Sequence, residues 1–126
     1  MPGATKYFLD SYAIINILLG SREYAEIKLS EGLTTLVNLM EVQYFLHKQG
    51  VDEEEIHETL SQLLPACVNF SFNECFDAVK FRYKNSGKRL SYVDCLGYTI
   101  AKKRRVLFVT GDKEFKELPN VMFLRG

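Results

Sequence analysis

The sequence predicts an α/β protein with three layers, in which helices cover both faces of a mostly parallel sheet of about five strands. Three observations lead to this fold class. Short apolar, β-branched runs alternate along the chain with longer segments of helical periodicity. The helical segments begin at capping residues and end near glycines or basic residues. The 126 residues are 47 % hydrophobic, which is the size and composition of one domain spanning 1–126.

The first half of the chain predicts two strands and four helices. Residues 7–9 form a short apolar run before Asp10, and residues 33–35 predict a second brief strand. The helices are predicted at 12–19, 23–29, 36–48 and from Asp52, whose spacing to Glu55 is that of a capping box.

The second half continues the alternation of strands and helices. Ser71 and Glu74 also have capping-box spacing, so they are expected to begin a helix. Strands are predicted at 66–70, 106–109 and 121–124, and helices at 72–87, from Ser91 to the basic cluster 102–105, and at 113–118. Strands separated by helices favour parallel pairing, since parallel strands need a crossover connection.

Charge and cysteine content narrow the classes of function. Sixteen Lys and Arg balance sixteen Asp and Glu, so nucleic-acid binding would have to rest on local charge. Three cysteines without a CxxC pair, and two histidines, argue against a disulfide framework and a zinc site. The sequence has neither a signal-peptide pattern nor an apolar run of roughly 20 residues. We therefore expect a cytoplasmic protein that does not associate with membranes.

Four acidic residues are expected to meet at one edge of the sheet. Asp10 follows the first strand, and Asp112 follows strand 106–109 after the turn at Gly111. Glu41 lies in the second turn of a helix and Asp94 in the first turn of another. Because ligands bind at the carboxyl ends of parallel strands, where crossover helices also begin, these carboxylates should converge.

A cluster of this kind predicts a divalent metal site. Four neighbouring carboxylates repel one another unless a cation neutralises them. Oxygen ligands select Mg²⁺ or Mn²⁺ over zinc or copper. Such an ion lowers the pKa of a bound water and stabilises charge on the oxygens around a phosphorus atom, so the predicted chemistry is phosphodiester hydrolysis.

Each acid also has a structural explanation. Asp10 and Asp112 can cap the helices that follow them, and Asp94 can complete a capping box with Ser91. Glu41 differs, because its apolar neighbours predict a buried helix in which an unpaired carboxylate is costly. The four acids taken together favour the metal site.

The residues that carry this prediction resemble the motif series of PIN-domain nucleases, and in particular the VapC-type toxins of prokaryotic toxin–antitoxin pairs. The resemblance covers nearly the whole chain. Its motifs are Phe8-Leu9-Asp10-Ser11, Thr34-Thr35 with Asn38 and Glu41-Val42, Ser91-Tyr92-Val93-Asp94, Ala101, and the segment 109–115.

The resemblance implies that Asp10, Glu41, Asp94 and Asp112 bind the metal and are catalytic, with Thr110 as a supporting hydroxyl. It also implies RNA cleavage, homodimers and inhibition by a small antitoxin protein. The chain departs from the family pattern at Glu114, where such proteins often carry an aspartate before the phenylalanine. Glu114 is therefore only a candidate auxiliary ligand.

Several further residues are candidates for supporting roles. Lys88 and Arg89 precede Asp94 closely and are candidate contacts to RNA phosphates. Asn38 lies one turn before Glu41, so it can hydrogen-bond near the metal or the substrate. The basic cluster 102–105 either contacts phosphates or complements the dipole of its helix. The surplus of apolar residues in 12–29 and 36–64 predicts a dimer interface or an antitoxin groove.

Other functions fit the sequence less well. An aspartyl phosphatase would need a second acid two residues after Asp10, where Tyr12 stands. A housekeeping nuclease of RNA maturation remains an alternative to a toxin. So does a catalytically silent PIN-fold binding module, although such a module has little physical reason to keep Glu41 in an apolar helix.

Overall fold

The computed structural model describes residues 4–126, and its centre is a parallel sheet of four strands. The strand order is β2-β1-β3-β4, and each neighbouring pair is parallel. Tyr7 in β1 is level with Gly32 in β2 and Leu107 in β3. The strands are β1 (Tyr7–Leu9), β2 (Gly32–Leu33), β3 (Leu107–Thr110) and β4 (Val121–Phe123).

The fifth strand, predicted at 66–70, was wrong. A 3₁₀ turn at Leu64–Ala66 leads into this segment, and only one bridge, between Thr34 and Cys67, joins it to the chain beside β2. By Ser71 the backbone already caps the next helix. The bridge consists of hydrogen bonds from Thr34 N to Ala66 O and from Val68 N to Thr34 O, and it is isolated, so the segment does not extend the sheet as a fifth strand.

Five α-helices surround the sheet. They are α1 (Ser11–Leu18), α2 (Leu36–Lys48), α3 (Glu53–Leu63), α4 (Phe72–Lys84) and α5 (Tyr92–Arg104). In the part of the chain that is described, none is long and apolar enough to cross a lipid bilayer. The helix predicted at 23–29 was wrong, because two 3₁₀ turns, Arg22–Tyr24 and Leu29–Glu31, stand there. The helix predicted at 113–118 is a single 3₁₀ turn, Lys113–Phe115.

Side-chain caps fix where the helices begin. Thr35 caps α2 by accepting a hydrogen bond from Asn38 N, and Ser71 and Glu74 form the predicted capping box at α4. Asp52 caps α3 through Glu54 N, so the capping box predicted with Glu55 was wrong. These caps satisfy backbone donors that have no partner within the helix.

Alternate residues of the central strands face two separate cores. Phe8 and Phe108 pack with residues of α4 and α5 on one face of the sheet. Leu9 and Val109 pack with residues of α1, α2 and α3 on the other. This is the period-two alternation of a strand buried on both faces. The predicted three-layer architecture is therefore confirmed, with four strands in place of five.

Helix α5 lies close against the sheet because Gly97 faces it. A Cβ atom at this position would stand 2.6 Å from the Phe8 ring and 3.0 Å from the Phe108 ring. Any larger residue would push the helix or the rings away, since interiors are close-packed. Gly97 therefore helps to set the position of α5 and of Asp94 in its first turn.

Candidate metal centre

The four carboxylates line one pocket at the carboxyl edge of the sheet. Its volume is about 340 Å³. The convergence expected from strand ends and helix starts is thus present in the structure. The pocket is lined by Asp10, Ser11, Tyr12, Glu41, Asp94, Gly111, Asp112 and Arg125.

Asp10 forms the buried floor of the pocket and is 2 % exposed. Its Oδ1 accepts a hydrogen bond of 2.7 Å from Ala13 N, so it also caps α1 as the structural explanation required. Burial raises the pKa of Asp10 to about 8; the Thr110 hydroxyl opposes the shift by donating to the carboxylate, and the charges of Asp94 and Asp112 add to it.

Thr110 links two of the acids. Besides donating to Asp10, its Oγ1 accepts a hydrogen bond of 3.1 Å from Asp112 N. Asp112 in turn caps the following 3₁₀ turn, with its Oδ1 accepting from Glu114 N at 3.0 Å. The buried hydroxyl of Thr110 therefore fixes the position of Asp112 relative to Asp10, as expected of a supporting residue.

Asp94 reaches the pocket from the first turn of α5. Its backbone N–H donates to Ser91 Oγ at 3.0 Å, which is one half of the capping box that the sequence offered for this pair. Burial raises the pKa of Asp94 to about 6; a hydrogen bond from Ser91 opposes the shift, while the charges of Asp112 and Glu41 contribute to it. The charges of the other acids thus act on Asp10 and Asp94 across the pocket.

Glu41 is exposed, so the prediction of a buried carboxylate in a buried helix was wrong. Helix α2 packs on the core through Leu39 and Val42, whereas Met40 and Tyr44 are 66 % and 67 % exposed. The apolar residues on most sides of this helix therefore reflect an uncovered face rather than full burial. Glu41 does line the pocket, and its Oε1 accepts a hydrogen bond of 2.5 Å from Ser11 Oγ.

Asn38 lies behind Ser11 and not in the pocket. It is 1 % exposed, its Nδ2 donates to Ser11 Oγ at 3.1 Å, and its Oδ1 accepts from Thr35 Oγ1 at 2.6 Å. The chain of hydrogen bonds from Thr35 through Asn38 and Ser11 ends on the Glu41 carboxylate. Asn38 is therefore placed to orient Glu41 through Ser11.

The donor set fits a hard divalent cation by its chemistry. Its carboxylate oxygens are the ligands that Mg²⁺ and Mn²⁺ prefer, and over residues 4–126 none of the four acids pairs with a lysine or arginine. Yet no group of three or more acidic, histidine or cysteine side chains among these residues could hold an ion as they stand. Fewer carboxylates together with waters would also suit Mg²⁺, which usually keeps several of its waters.

The other predicted residues lie outside the pocket. Glu114 Oε1 accepts a hydrogen bond of 2.9 Å from Arg89 N, which ties the turn after Asp112 to the loop before α5. Glu114, Lys88 and Arg89 are all absent from the pocket lining. The metal role of Glu114 and the RNA contacts of Lys88 and Arg89 remain predictions.

From the sequence, Tyr12, Gly111 and Arg125 were not identified as residues of the site, although all three line the pocket. Gly111 packs under Tyr12 so closely that a Cβ atom would lie 2.0 Å from the ring. Arg125 Nη1 donates to Gly111 O at 2.7 Å, and its guanidinium lies 5.9 Å from the centre of the Tyr12 ring. The rule that selected Asp10 and Asp112 would have found Arg125, because it also follows the end of a parallel strand.

This fold and pocket correspond to a known family. The family model described as PIN domain matches residues 7–121. The chain therefore belongs to the PIN-domain family. No curated protein matches its sequence significantly.

Several solved structures share the fold. A chain of a toxin–antitoxin complex from Klebsiella pneumoniae matches with a TM-score of 0.74 at 20 % identity, covering 93 % of this chain and 96 % of that one. DNA-bound VapBC from Salmonella typhimurium matches with a TM-score of 0.68 at 18 % identity, and the match covers 94 % of this chain and 96 % of that one. VapBC2 from Rickettsia felis, bound to a promoter DNA fragment, matches with a TM-score of 0.64 at 21 % identity, and the match covers 93 % of this chain and 96 % of that one. At these identities the likeness shows a common fold.

Proposed function

We propose that the protein is a cytoplasmic endoribonuclease that hydrolyses RNA phosphodiester bonds with Mg²⁺ or Mn²⁺, and that it is the toxin of a toxin–antitoxin pair. One observation carries the proposal: four carboxylates from four separate elements meet in a pocket where none of them forms an ion pair with a lysine or arginine of the described chain. Membership of the PIN-domain family and the likeness to toxin–antitoxin structures support it.

The four acids are the proposed metal ligands. Asp10, Glu41, Asp94 and Asp112 would hold a divalent ion, which would supply a water of lowered pKa and neutralise charge on the phosphate. Because the pKa of Asp10 is about 8, its carboxyl holds a proton near neutral pH and must release it to act as a ligand. Thr110 keeps that carboxylate oriented, and Ser11 does the same for Glu41.

A groove between α2 and α3 is the proposed docking site for the antitoxin. It has a volume of about 780 Å³. Met40, Ile56 and Leu60 line its apolar part, and Glu53, Glu54 and Glu58 add negative charge. This surface fits an amphipathic helix that carries basic residues beside its apolar face. It falls within the segment 36–64, where the sequence predicted surplus apolar surface.

The homodimer is proposed to form through α4. Phe72, Phe76, Val79 and Tyr83 recur at helical spacing and are exposed, with Phe72 78 % and Tyr83 81 % accessible. The first half of this helix carries Glu74 and Asp77, and the second half carries Lys80, Arg82 and Lys84. Two copies packed antiparallel would therefore join opposite charges along their apolar stripes. This face lies outside the segments in which the sequence predicted a dimer surface.

RNA cleavage by the wild type and Asp94→Asn tests the proposed activity. Both proteins are incubated with mixed structured RNAs in Mg²⁺ or Mn²⁺, and then with excess chelator. Asn keeps the size of Asp94 and removes its charge. Asp77→Asn is the matched control, because Asp77 lies on the surface of α4 in contact with Lys103. We expect only the wild type and Asp77→Asn to cut, and only with metal.

The outcomes separate the alternatives. Cutting that survives both the chelator and Asp94→Asn would contradict the proposed mechanism. A wild type that neither cuts RNA nor binds Mn²⁺ in calorimetry would instead be a silent binding module. A housekeeping nuclease would cut RNA but would have no antitoxin encoded in the neighbouring reading frame.

A further inference from the structure

Arg125 is the only lysine or arginine that lines the carboxylate pocket in the described part of the chain. It follows β4, whose parallel pairing with β3 carries the chain to the pocket edge, where Leu124 N donates to Thr110 O at 2.9 Å. A cluster of acids repels a polyanion until a cation is bound, and even then the approaching phosphate retains negative charge. A cation at the rim would therefore assist binding of a phosphodiester.

The contacts of Arg125 leave it available for an anion. Although four carboxylates line the same pocket, Arg125 makes no ion pair with an acid within residues 4–126. Its recorded hydrogen bond, of 2.7 Å, goes from Nη1 to the carbonyl oxygen of Gly111. A guanidinium has five N–H donors, so one such bond leaves others free for a planar or tetrahedral oxyanion.

Tyr12 and Gly111 hold Arg125 in this position. The Tyr12 ring lies beneath the guanidinium at 5.9 Å, and its hydroxyl exchanges hydrogen bonds of 3.2 and 3.1 Å with the backbone of Gly126. Gly111 allows the ring to pack on the turn, because any Cβ there would overlap it. The segment after β4 is thus fastened on both sides of Arg125.

We propose that Arg125 is the phosphate-binding residue of this pocket, and that Tyr12 and Gly111 position it to contact the phosphodiester backbone next to the carboxylates. The inference rests on the proposed function for the identity of the substrate. Arg125 is assigned a task distinct from metal binding, because within residues 4–126 it forms no ion pair with any of the four acids. Loss of its side chain should therefore weaken RNA binding without weakening metal binding.

Binding and cleavage by Arg125→Gln and Arg125→Lys test the proposal. Affinity for a labelled single-stranded oligoribonucleotide is measured by fluorescence anisotropy in an Asp94→Asn background, which separates binding from cutting. KM is measured in the otherwise unchanged protein. The control is Lys28→Gln, an exposed lysine that precedes β2 and so lies at the amino edge of the parallel sheet, away from the carboxylates.

We expect Arg125→Gln to weaken RNA binding and raise KM about tenfold or more, as for loss of a hydrogen bond to a charged group. The slope of log affinity against log salt should fall by about one. Arg125→Lys should recover part of the loss, because it keeps the charge but not the two-pronged geometry. Mn²⁺ affinity in calorimetry should not weaken, and Lys28→Gln should match its parent.

The positioning role of Tyr12 has its own test. Tyr12→Leu removes the ring beneath Arg125 and should weaken RNA binding in the same direction as Arg125→Gln. Tyr12→Phe keeps the ring and should retain more of the affinity. Equal RNA affinity in Tyr12→Leu and the parent would overturn this part of the proposal.

Three results would overturn the role of Arg125 itself. They are unchanged RNA affinity and KM in Arg125→Gln, an equal loss in Lys28→Gln, and a joint loss of RNA and Mn²⁺ binding in a folded Arg125→Gln protein. If the parent cuts no RNA, the proposed nuclease fails, yet the anisotropy comparison still decides whether Arg125 binds a phosphate backbone. If the parent cuts RNA and Arg125→Gln behaves identically, only this inference fails.

Discussion

Ser11 Oγ donates a hydrogen bond of 2.5 Å to Glu41 Oε1, which joins the first residue of α1 to the second turn of α2 across the mouth of the pocket. The bond gives an exposed carboxylate a fixed place beside the buried Asp10 and the half-buried Asp94 and Asp112. Ser11 is itself held by the buried amide of Asn38. The orientation of the most exposed acid of the pocket therefore depends on groups inside the protein.

Replacing Ser11 with Ala should weaken metal binding more than it weakens the fold. Loss of a group that orients a ligand typically reduces metal affinity about tenfold to 100-fold. Mn²⁺ titration by calorimetry measures the effect, with Ser61→Ala on the exposed side of α3 as the control. Equal Mn²⁺ affinity in both variants would show that the bond to Glu41 does not matter for the metal.

Asn38→Ala should reduce stability directly. The substitution leaves the buried hydroxyl of Thr35 without its acceptor and Ser11 without a donor, and we expect a loss of about 2 kcal/mol in the free energy of unfolding. Urea denaturation compares it with Asn73→Ala, an exposed asparagine on α4. A loss no larger than that of the control would contradict the importance of this hydrogen-bond chain.

The metal-free protein should lose stability as pH rises from about 4 to 8. The folded state keeps a proton on Asp10, with a pKa of about 8, that the unfolded chain releases near its ordinary value of 3.8, so the folded state binds more protons in this range. Asp94, with a pKa of about 6, contributes in the lower part of it. Urea denaturation in chelator at pH 5, 6.5 and 8 measures the trend.

Asp10→Asn is the matching variant for this pH dependence. It should flatten the curve and stabilise the metal-free protein at pH 8 by about 2 kcal/mol, because it removes a buried charge while keeping an oxygen to cap α1. Added Mn²⁺ should stabilise the wild type more at pH 8 than at pH 5, since protons compete with the ion. Stability of the metal-free wild type that increases from pH 5 to 8 would refute this account.

Gly111→Ala should destabilise the protein by about 2 kcal/mol or more, because the new methyl group would overlap the Tyr12 ring. Gly87→Ala is the control, since nothing lies within 4 Å of a Cβ atom there. Tyr12→Ala combined with Gly111→Ala should cost less than the sum of the two single changes. Strict additivity in thermal or urea unfolding would mean that the two residues do not interfere.

Phe76→Glu should weaken self-association through α4 if the stripe on that helix is the dimer surface. A charge in the middle of an apolar contact disfavours burial of the contact and leaves a free monomer folded. Sedimentation at high micromolar concentration should show a dimer for the wild type and a monomer for Phe76→Glu. Met40→Glu, on the exposed face of α2, should leave the dimer intact.

Local rules account for most of what the sequence predicted. The strand Tyr7–Leu9, the helix Leu36–Lys48 and the caps at Ser71 and Ser91 follow from apolar runs and capping residues within a few positions. The failures at 66–70 and 23–29 depend on distant contacts. Tyr24, for example, is drawn into the core, and its hydroxyl donates to Leu124 O at 2.6 Å.

The acidic residues of the pocket could be predicted from the topology of the sheet, but their exposure and the contacts around them could not. Strand ends and helix starts identified Asp10, Glu41, Asp94 and Asp112 because parallel topology brings them to one edge. The exposure of Glu41 was not predictable from composition, since apolar neighbours mark a buried face and a docking face alike. The contact of Arg125 with Gly111 depends on how Tyr12 packs, which a single sequence does not reveal.

In the strand order β2-β1-β3-β4, β1 lies between β2 and β3. Strand β2 follows β1 closely in the sequence, whereas β3 begins about a hundred residues after β1. Asp10 leaves the ribosome early, but Thr110 and Asp112, which complete its surroundings, emerge only when almost all of this sequence has been translated. No N-terminal fragment can assemble the pocket. The chemistry proposed for the pocket can therefore begin only after β3 and the turn at Asp112 have been synthesised and have joined β1.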